Sequence, residues 1–409
     1  MVLNFGHRFP TAIKQIKRCN VLVIGSTGAG KSTLISSMLN LPISDSVTKS
    51  ISNPPDQKPG LPIAIYDTPG LENNKKQQDR VKEEIAKFIK ERKYKEPEDQ
   101  IHAIWYCVNS QVAREKLIDR GWISSIAKEL PVIAVITRAS GVEKSWLEPF
   151  LRGISEIKQV IPVMALREKT PHYDIKPYGL DSLLFGTEHL LEEIAKTAIL
   201  NAIKSKADQS LGWCRDGCTK VLAARVLPVP MMPIPLVVAT LQTLMLADIS
   251  KTFGYNLDWK FLSELCAIGI GIDTGIEVEL AQILKKLPGV NYDNIQTVHD
   301  VLSQFGVMLN GMTATLPFKD QLIDLLQGLD NFNPVSGFPI LRCIAAVTTA
   351  LCTGFLAVAY IETMKKCKQA EYEGKPLPEI KEILKDQMQQ LMEVIKIGFG
   401  IGSIPAFAS

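Results

Sequence analysis

Val21-Leu-Val-Ile24, followed at once by Gly25-Ser-Thr-Gly-Ala-Gly-Lys-Ser32, decides the fold of the first half of this 409-residue chain. Four apolar, mostly β-branched residues read as a buried strand, and Gly-x-x-x-x-Gly-Lys-Ser reads as a glycine-rich turn into a helix that starts at Lys31. In such a P-loop the glycines let successive backbone N–H groups turn inward around phosphate oxygens. The helix adds its unpaired amino-terminal donors. The expected phosphate cradle is therefore Gly25, Ser26, Thr27, Gly28, Ala29, Gly30, Lys31, Ser32 and Thr33, with Lys31 reaching the β- and γ-phosphates and Ser32 ligating Mg²⁺.

Working outward, Asp67-Thr-Pro-Gly70 directly follows a second apolar run, Pro62-Ile-Ala-Ile-Tyr66. An Asp at the carboxyl end of a strand is placed to hold Mg²⁺, and the glycine N–H to contact a terminal phosphate. Further strands are expected at Ile101 to Val108, Pro131 to Ile136 and, more weakly, Val160 to Met164. Helices are expected at Lys31 to Asn40, Gln78 to Arg92, Ala113 to Leu130 and Asp181 to Lys204. This alternation predicts an α/β fold, a mainly parallel sheet with flanking helices, over residues 19–206. Residues 1–18 are read as an amino-terminal extension.

These motifs resemble Era-like P-loop GTPases of the translation-factor class. The resemblance implies GTP and GDP as ligands with Mg²⁺, and catalysis through Lys31, Gly70 and a threonine that closes over the metal. Thr48 in Ser46-Val-Thr-Lys-Ser50 matches that threonine, with Ser46 and Ser50 as alternatives. Leu71 stands where many relatives carry a water-orienting Gln, which implies slow intrinsic hydrolysis aided by a dimer or a partner. Gly28 stands where potassium-stimulated relatives carry Asn, so no potassium dependence is expected. Relatives read guanine with Asn/Thr-Lys-x-Asp; here the strand ends Thr137-Arg-Ala-Ser140, so Thr137 and Arg138 match but Ser140 replaces the carboxylate. Losing that charge-assisted pair costs roughly 1.5–3 kcal/mol of discrimination, which keeps an ATPase open beside the GTPase reading. Met164-Ala-Leu-Arg167 resembles the loop that touches the base, through Ala165 and Leu166.

Beyond residue 206 the pattern turns to apolar stretches with small residues, and 207–409 is expected to form an all-α domain. Val226 to Ala247 is broken early by Pro228, Pro230, Pro233 and Pro235. Leu262 to Ile272 is a second apolar segment. Cys343 to Ile361 runs without a charge, close to the roughly 20 residues a membrane helix needs. Its composition suits a protein core and a bilayer equally, so both remain open. The region resembles the helical domain that follows some Era-like G domains, through Leu227-Pro-Val-Pro230, and this implies membrane association. The tail from Glu379 to Lys396 puts Ile380, Ile383, Leu384, Met388, Leu391, Met392 and Ile395 on one helical face, best suited to packing on its own domain.

Composition constrains the rest. Lys plus Arg number 46 against 43 Asp plus Glu, a balance that gives no indication of nucleic acid as partner. The eight cysteines are scattered; Cys214 and Cys218 lack a nearby His, so free thiols are expected rather than zinc. Met1 to Lys17 has neither an apolar signal core nor a Gly after the initiator, which leads us to expect a cytoplasmic location, with the cytosolic face of a membrane as the alternative. Together these readings give a slow regulatory GTPase whose nucleotide state controls membrane or partner contact, a homodimer included. A non-hydrolysing nucleotide-dependent scaffold is the competing reading.

Overall fold

The computed structural model describes residues 14–42, 48–58, 61–72, 74–111, 118–140, 146–169, 174–226, 233–268 and 340–398, together with 306, 307 and 323. Ser46, Leu227-Pro-Val-Pro230, the end of the 262–272 segment and most of the amino-terminal extension lie outside them, as do the side chains of Leu391, Met392 and Ile395. The chain divides into two compact units, Met1–Lys204 and Ser205–Ser409.

The first unit is built on a six-stranded sheet in the order β2-β3-β1-β4-β5-β6. The strands are β1 Cys19–Gly25, β2 Asp56–Gln57, β3 Ile63–Asp67, β4 Ala103–Asn109, β5 Val132–Thr137 and β6 Ile157–Val163. All neighbouring pairs are parallel except β2 with β3. A further two-stranded ribbon joins β7 Glu168–Lys169 to β8 Asp174–Ile175. The central strands are buried on both faces, which explains their near-continuous apolar sequences. Alternate residues nevertheless separate into two cores. Val21, Val23, Ile65, Trp105 and Val135 face α1 Lys31–Leu39, α5 Leu180–Glu188 and the start of α6 Leu191–Val226. Leu22, Ile24, Tyr66, Ile104, Tyr106 and Ile136 face α2 Lys75–Arg92, α3 Arg120–Ala127 and α4 Leu147–Arg152. Each fully buried branched side chain contributes about 1.5–3 kcal/mol, so both layers are needed.

Helix starts follow local chemistry. The Asn74 side chain accepts from the Lys76 N–H at 3.0 Å to cap α2, and Asp119 accepts from Trp122 at 3.0 Å to cap α3. Asp119 also accepts from Lys82 of α2 at 2.6 Å, and this ion pair holds its carboxyl below the usual range.

Several sequence-based bounds need correction. The helix expected over Ala113 to Leu130 is Arg120–Ala127 within the described residues. The helix expected over Asp181 to Lys204 is two helices, α5 and α6, and α6 continues to Val226. No Gly or Pro marks the break at His189-Leu190. The buried Thr187 there accepts from Trp105 Nε1 at 3.1 Å, a tertiary contact invisible to helix periodicity.

At the amino-terminal edge of the sheet, opposite the P-loop, the buried His102 is held by backbone alone. Its Nδ1 accepts from the Asn20 N–H at 2.8 Å, and its Nε2 lies 2.8 Å from the Pro97 carbonyl. Only the neutral tautomer with the proton on Nε2 satisfies both. Asn20 Nδ2 donates to the carbonyls of Glu98 at 2.8 Å and Gln100 at 2.6 Å, completing the polar knot.

The second unit is helical. α7 Ile234–Thr252, a helical stretch over 259–268, α8 Ile340–Tyr372 and α9 Ile380–Gly398 join the later part of α6 around one core. That core includes Cys214, Cys218, Leu246, Ile249, Phe253, Leu265, Phe355, Tyr360, Leu384 and Met388. Buried polar groups link α7 to α8: Gln242 Nε2 donates to Thr353 Oγ1 at 2.9 Å, and Ser250 Oγ bonds Tyr360 OH at 2.7 Å. Ile234–Thr252 and Ala345–Tyr372 are long and apolar enough to cross a membrane by length and composition alone. In the second of these, 89% of the apolar window is buried inside the protein, as in a core helix; in the first, 39% is.

Candidate functional site

The P-loop joins β1 to α1, and Gly30 caps α1 with φ 80°, a left-handed conformation that favours glycine. No side chain caps that helix and its first turn carries no acid, so its amino-terminal N–H groups have no anionic side chain as partner. Carbonyls of the loop are pinned from the neighbouring strands. Asn109 Nδ2 donates to the Gly28 carbonyl at 3.1 Å, and Thr137 Oγ1 donates to the Ala29 carbonyl at 2.7 Å. Lys31 folds back over the loop, its Nζ donating to the Gly25 carbonyl at 3.1 Å and the Ser26 carbonyl at 3.4 Å. Burial pushes the Lys31 ammonium below the ordinary lysine range, against the pull of Asp67. Additional negative charge beside it would restore it.

Asp67 ends β3, buried, where the sheet brings β3 alongside β1. Its Oδ2 accepts from Thr48 Oγ1 at 2.6 Å and its N–H donates to Ser52 Oγ at 2.8 Å. Of the two hydroxyls weighed from sequence that lie among the described residues, Thr48 and Ser50, Thr48 is the one bonded to the carboxylate. The second oxygen, Asp67 Oδ1, is buried without a hydrogen-bond partner. Leaving such an atom unsatisfied costs about 1–3 kcal/mol or more, and a cation would satisfy it. Among the described residues no group of three or more His, Cys, Asp or Glu assembles, and the oxygen groups that the structure places together here are the carboxylate of Asp67 and the hydroxyl of Thr48. Hard oxygen donors of this kind, with phosphate oxygens completing the shell, suit Mg²⁺.

Gly70 crosses the P-loop at close range. A Cβ on Gly70 would lie 2.3 Å from Thr27 Oγ1 and 2.8 Å from Thr27 Cα. The next residue fastens the two loops together: Leu71 N–H donates to the Gly25 carbonyl at 3.1 Å, and Thr27 N–H donates to the Leu71 carbonyl at 3.3 Å. The Leu71 side chain is buried in the core. Glu72, not anticipated from sequence, accepts from Thr27 Oγ1 at 2.8 Å.

Beyond Gly30 lies a cavity of about 230 Å³, lined by Gly30, Thr33, Gln111, Thr137, Arg138, Val163, Met164, Ala165, Leu166, Arg167 and Glu168. The structure thus brings Thr137, Arg138, Ala165 and Leu166 together around one cavity. Ser140 is not among the residues that line it. Arg138 takes φ 49°, its carbonyl accepts from Ser110 Oγ at 2.6 Å and from the Ser140 N–H at 2.8 Å, and the following Ala139 is buried. Gln111 and Glu168 were missed from sequence, because no motif spacing marks them.

Strand order 2-3-1-4-5-6, a P-loop after β1 and an Asp at the end of β3 define a P-loop GTPase fold. Residues 20–138 match the sequence model of the 50S ribosome-binding GTPase family, so the first unit carries a P-loop GTPase domain. No curated protein matches the chain. Similar solved structures include a probable GTP-binding protein EngB, at 20% identity over 43% of this chain and 100% of that one, with a TM-score of 0.34. The septin GTPase domain from Chlamydomonas reinhardtii aligns at 15% identity over 45% of this chain and 96% of that one, TM-score 0.34. A bacterial selenocysteine-specific elongation factor aligns at 16% identity over 43% and 29%, TM-score 0.30.

Proposed function

We propose that the protein is a GTP-binding switch that hydrolyses GTP slowly. The observation that carries this reading is the pairing of Thr48 with Asp67 Oδ2 beside a buried, unpartnered Asp67 Oδ1, at the mouth of a P-loop whose lysine is depressed by burial. In this reading Gly25 to Ser32 and Thr33 cradle the phosphates, and Lys31 reaches the β- and γ-oxygens. Ser32, Thr48 and Asp67 hold Mg²⁺ directly or through water. The metal, when bound, supplies neutralisation of charge on the phosphate oxygens. Gly70 N–H reports the terminal phosphate to the segment that follows it.

Slow turnover follows from Leu71. Its side chain is buried and carries no group able to orient water, so acceleration is assigned to a second protein or a second copy of this chain. Output is assigned to the helical unit, where α7 exposes Leu236 and Leu244 at 53% and 47% and offers apolar surface to a membrane or partner. The non-hydrolysing scaffold reading draws on the same burial of Leu71. Single-turnover assays with GTP, with and without Mg²⁺, separate the two. A measurable Mg²⁺-dependent rate supports the switch. Tight Mg²⁺-GTP binding with no phosphate release over many hours supports the scaffold, and no GTP binding refutes both.

A further inference from the structure

The base-reading carboxylate that relatives place at the fourth residue of their loop is absent at Ser140, yet the cavity beside Gly30 does contain an acid. Among the described residues lining it, Glu168 is the one carboxylate. It sits at the start of β7, two residues beyond Leu166, while Arg167 between them is turned into a bidentate pair with Asp174, at 2.7 and 2.5 Å. β7 pairs with β8 through Glu168 and Ile175, so the acid rides on a hydrogen-bonded ribbon rather than a free loop end. Ser140, by contrast, has its N–H committed to the Arg138 carbonyl and does not reach the cavity.

We propose that Glu168 is the specificity-determining residue of this site, accepting from the ring N–H and exocyclic amino group of guanine in place of the missing loop carboxylate. The proposal rests on the nucleotide-binding reading above and deepens it. Guanine presents two adjacent donors on one edge, matched by the two oxygens of one carboxylate. Adenine presents a ring lone pair at the corresponding position and is repelled. Hypoxanthine keeps one of the two donors, and xanthine replaces the amino group with a carbonyl. The expected ladder for the unaltered protein is therefore GTP, then ITP, then XTP and ATP. Gln111 also lines the cavity, but its amide sets one acceptor oxygen beside a donor NH2 and does not match two adjacent donors as a carboxylate does.

The test is competition of GTP, ITP, XTP and ATP against a fluorescent diphosphate on the full chain, and on Glu168→Gln and Glu168→Asp. Removing a charge-assisted pair should weaken GTP by about tenfold to a hundredfold in Glu168→Gln. ATP should bind at least as well as before, because the carboxylate that repels its ring lone pair is gone; that retained binding also shows that the phosphate site remains folded, and XTP should gain because an amide N–H can donate to its carbonyl. Glu168→Asp keeps the charge and should retain part of the GTP preference. If the unaltered protein prefers GTP and Glu168→Gln keeps that preference intact, the assignment of Glu168 is overturned while the guanine reading stands. Equal binding of ITP and GTP by the unaltered protein also overturns it. If the unaltered protein binds ATP as well as GTP, the guanine reading itself fails.

Discussion

Lowering pH from 7 to 5 should destabilise the first unit through one residue, His102. Burial is the main cause that holds its imidazole down to about 4 from an ordinary 6.5, with Arg18 contributing and the Pro97 carbonyl opposing. The unfolded chain therefore takes up a proton as pH falls through about 6.5, while the folded chain resists until about 4. Stability is complete above that window and is lost as pH falls through it. A gap of this size corresponds to about 3 kcal/mol in total, of which about 2 kcal/mol is lost by pH 5, against the 5–15 kcal/mol typical of a domain. The geometry gives the reason. A proton on Nδ1 would face the Asn20 N–H now donating to it, leaving two donors opposed. Urea unfolding at pH 7 and pH 5 should show this loss in the unaltered protein and lack it in His102→Gln, which has nothing to titrate at that place. Ring ¹⁵N chemical shifts of His102 offer a direct check. An imidazole that titrates near 6.5 in the folded state, or equal pH sensitivity in both proteins, would refute the reasoning.

Other substitutions probe the site. Lys31→Ala should abolish measurable nucleotide binding by isothermal titration without unfolding the protein. Gly70→Ala should cost roughly 1–3 kcal/mol of stability or displace the loop, because its Cβ would meet the Thr27 backbone at 2.8 Å, and melting curves with nucleotide titrations will read either outcome. Asp67→Asn should weaken Mg²⁺-dependent GTP affinity far more than metal-free affinity, as measured by Mg²⁺ titration. If α7 supplies membrane contact, Leu236→Glu combined with Leu244→Glu should reduce flotation with liposomes; unchanged flotation would assign contact elsewhere.

The parts of the molecule that were legible in sequence are those built from contiguous residues. The eight residues from Gly25 to Ser32 carry their own geometry, and Asp67 follows its strand directly, so both could be read without a partner. The edge strand Asp56–Gln57 could not, since two polar residues become a strand only by pairing with Ile65 and Ala64. The base-side cavity is harder still. Gln111, Thr137 and Leu166 lie at or just beyond the ends of three strands while Glu168 opens β7, and they meet only after the sheet has formed. Ser140 shows the same dependence on the folded backbone: it stands at the loop spacing, and at the turn its N–H donates to the Arg138 carbonyl, while it is not among the residues that line the cavity. In the helical half, absence of charge over Cys343 to Ile361 could not distinguish lipid from neighbouring helices, because both reward the same side chains.

The fastening of Leu71 to Gly25 and Thr27 has a consequence for how this protein would respond to mutational scanning. The link consists of two amide–carbonyl bonds and continues, after a short gap, the parallel ladder of β1 and β3 as a bridge between Ser26 and Leu71. Since no side-chain atom takes part in those bonds, replacing Leu71 with Ala or Met leaves the clasp in place, and a library of such changes would score the position as a packing site alone. Backbone chemistry sees it differently. An amide-to-ester replacement at Leu71 deletes a single donor while preserving the side chain, and slow hydrogen exchange at that amide would mark the two loops as one mechanical piece.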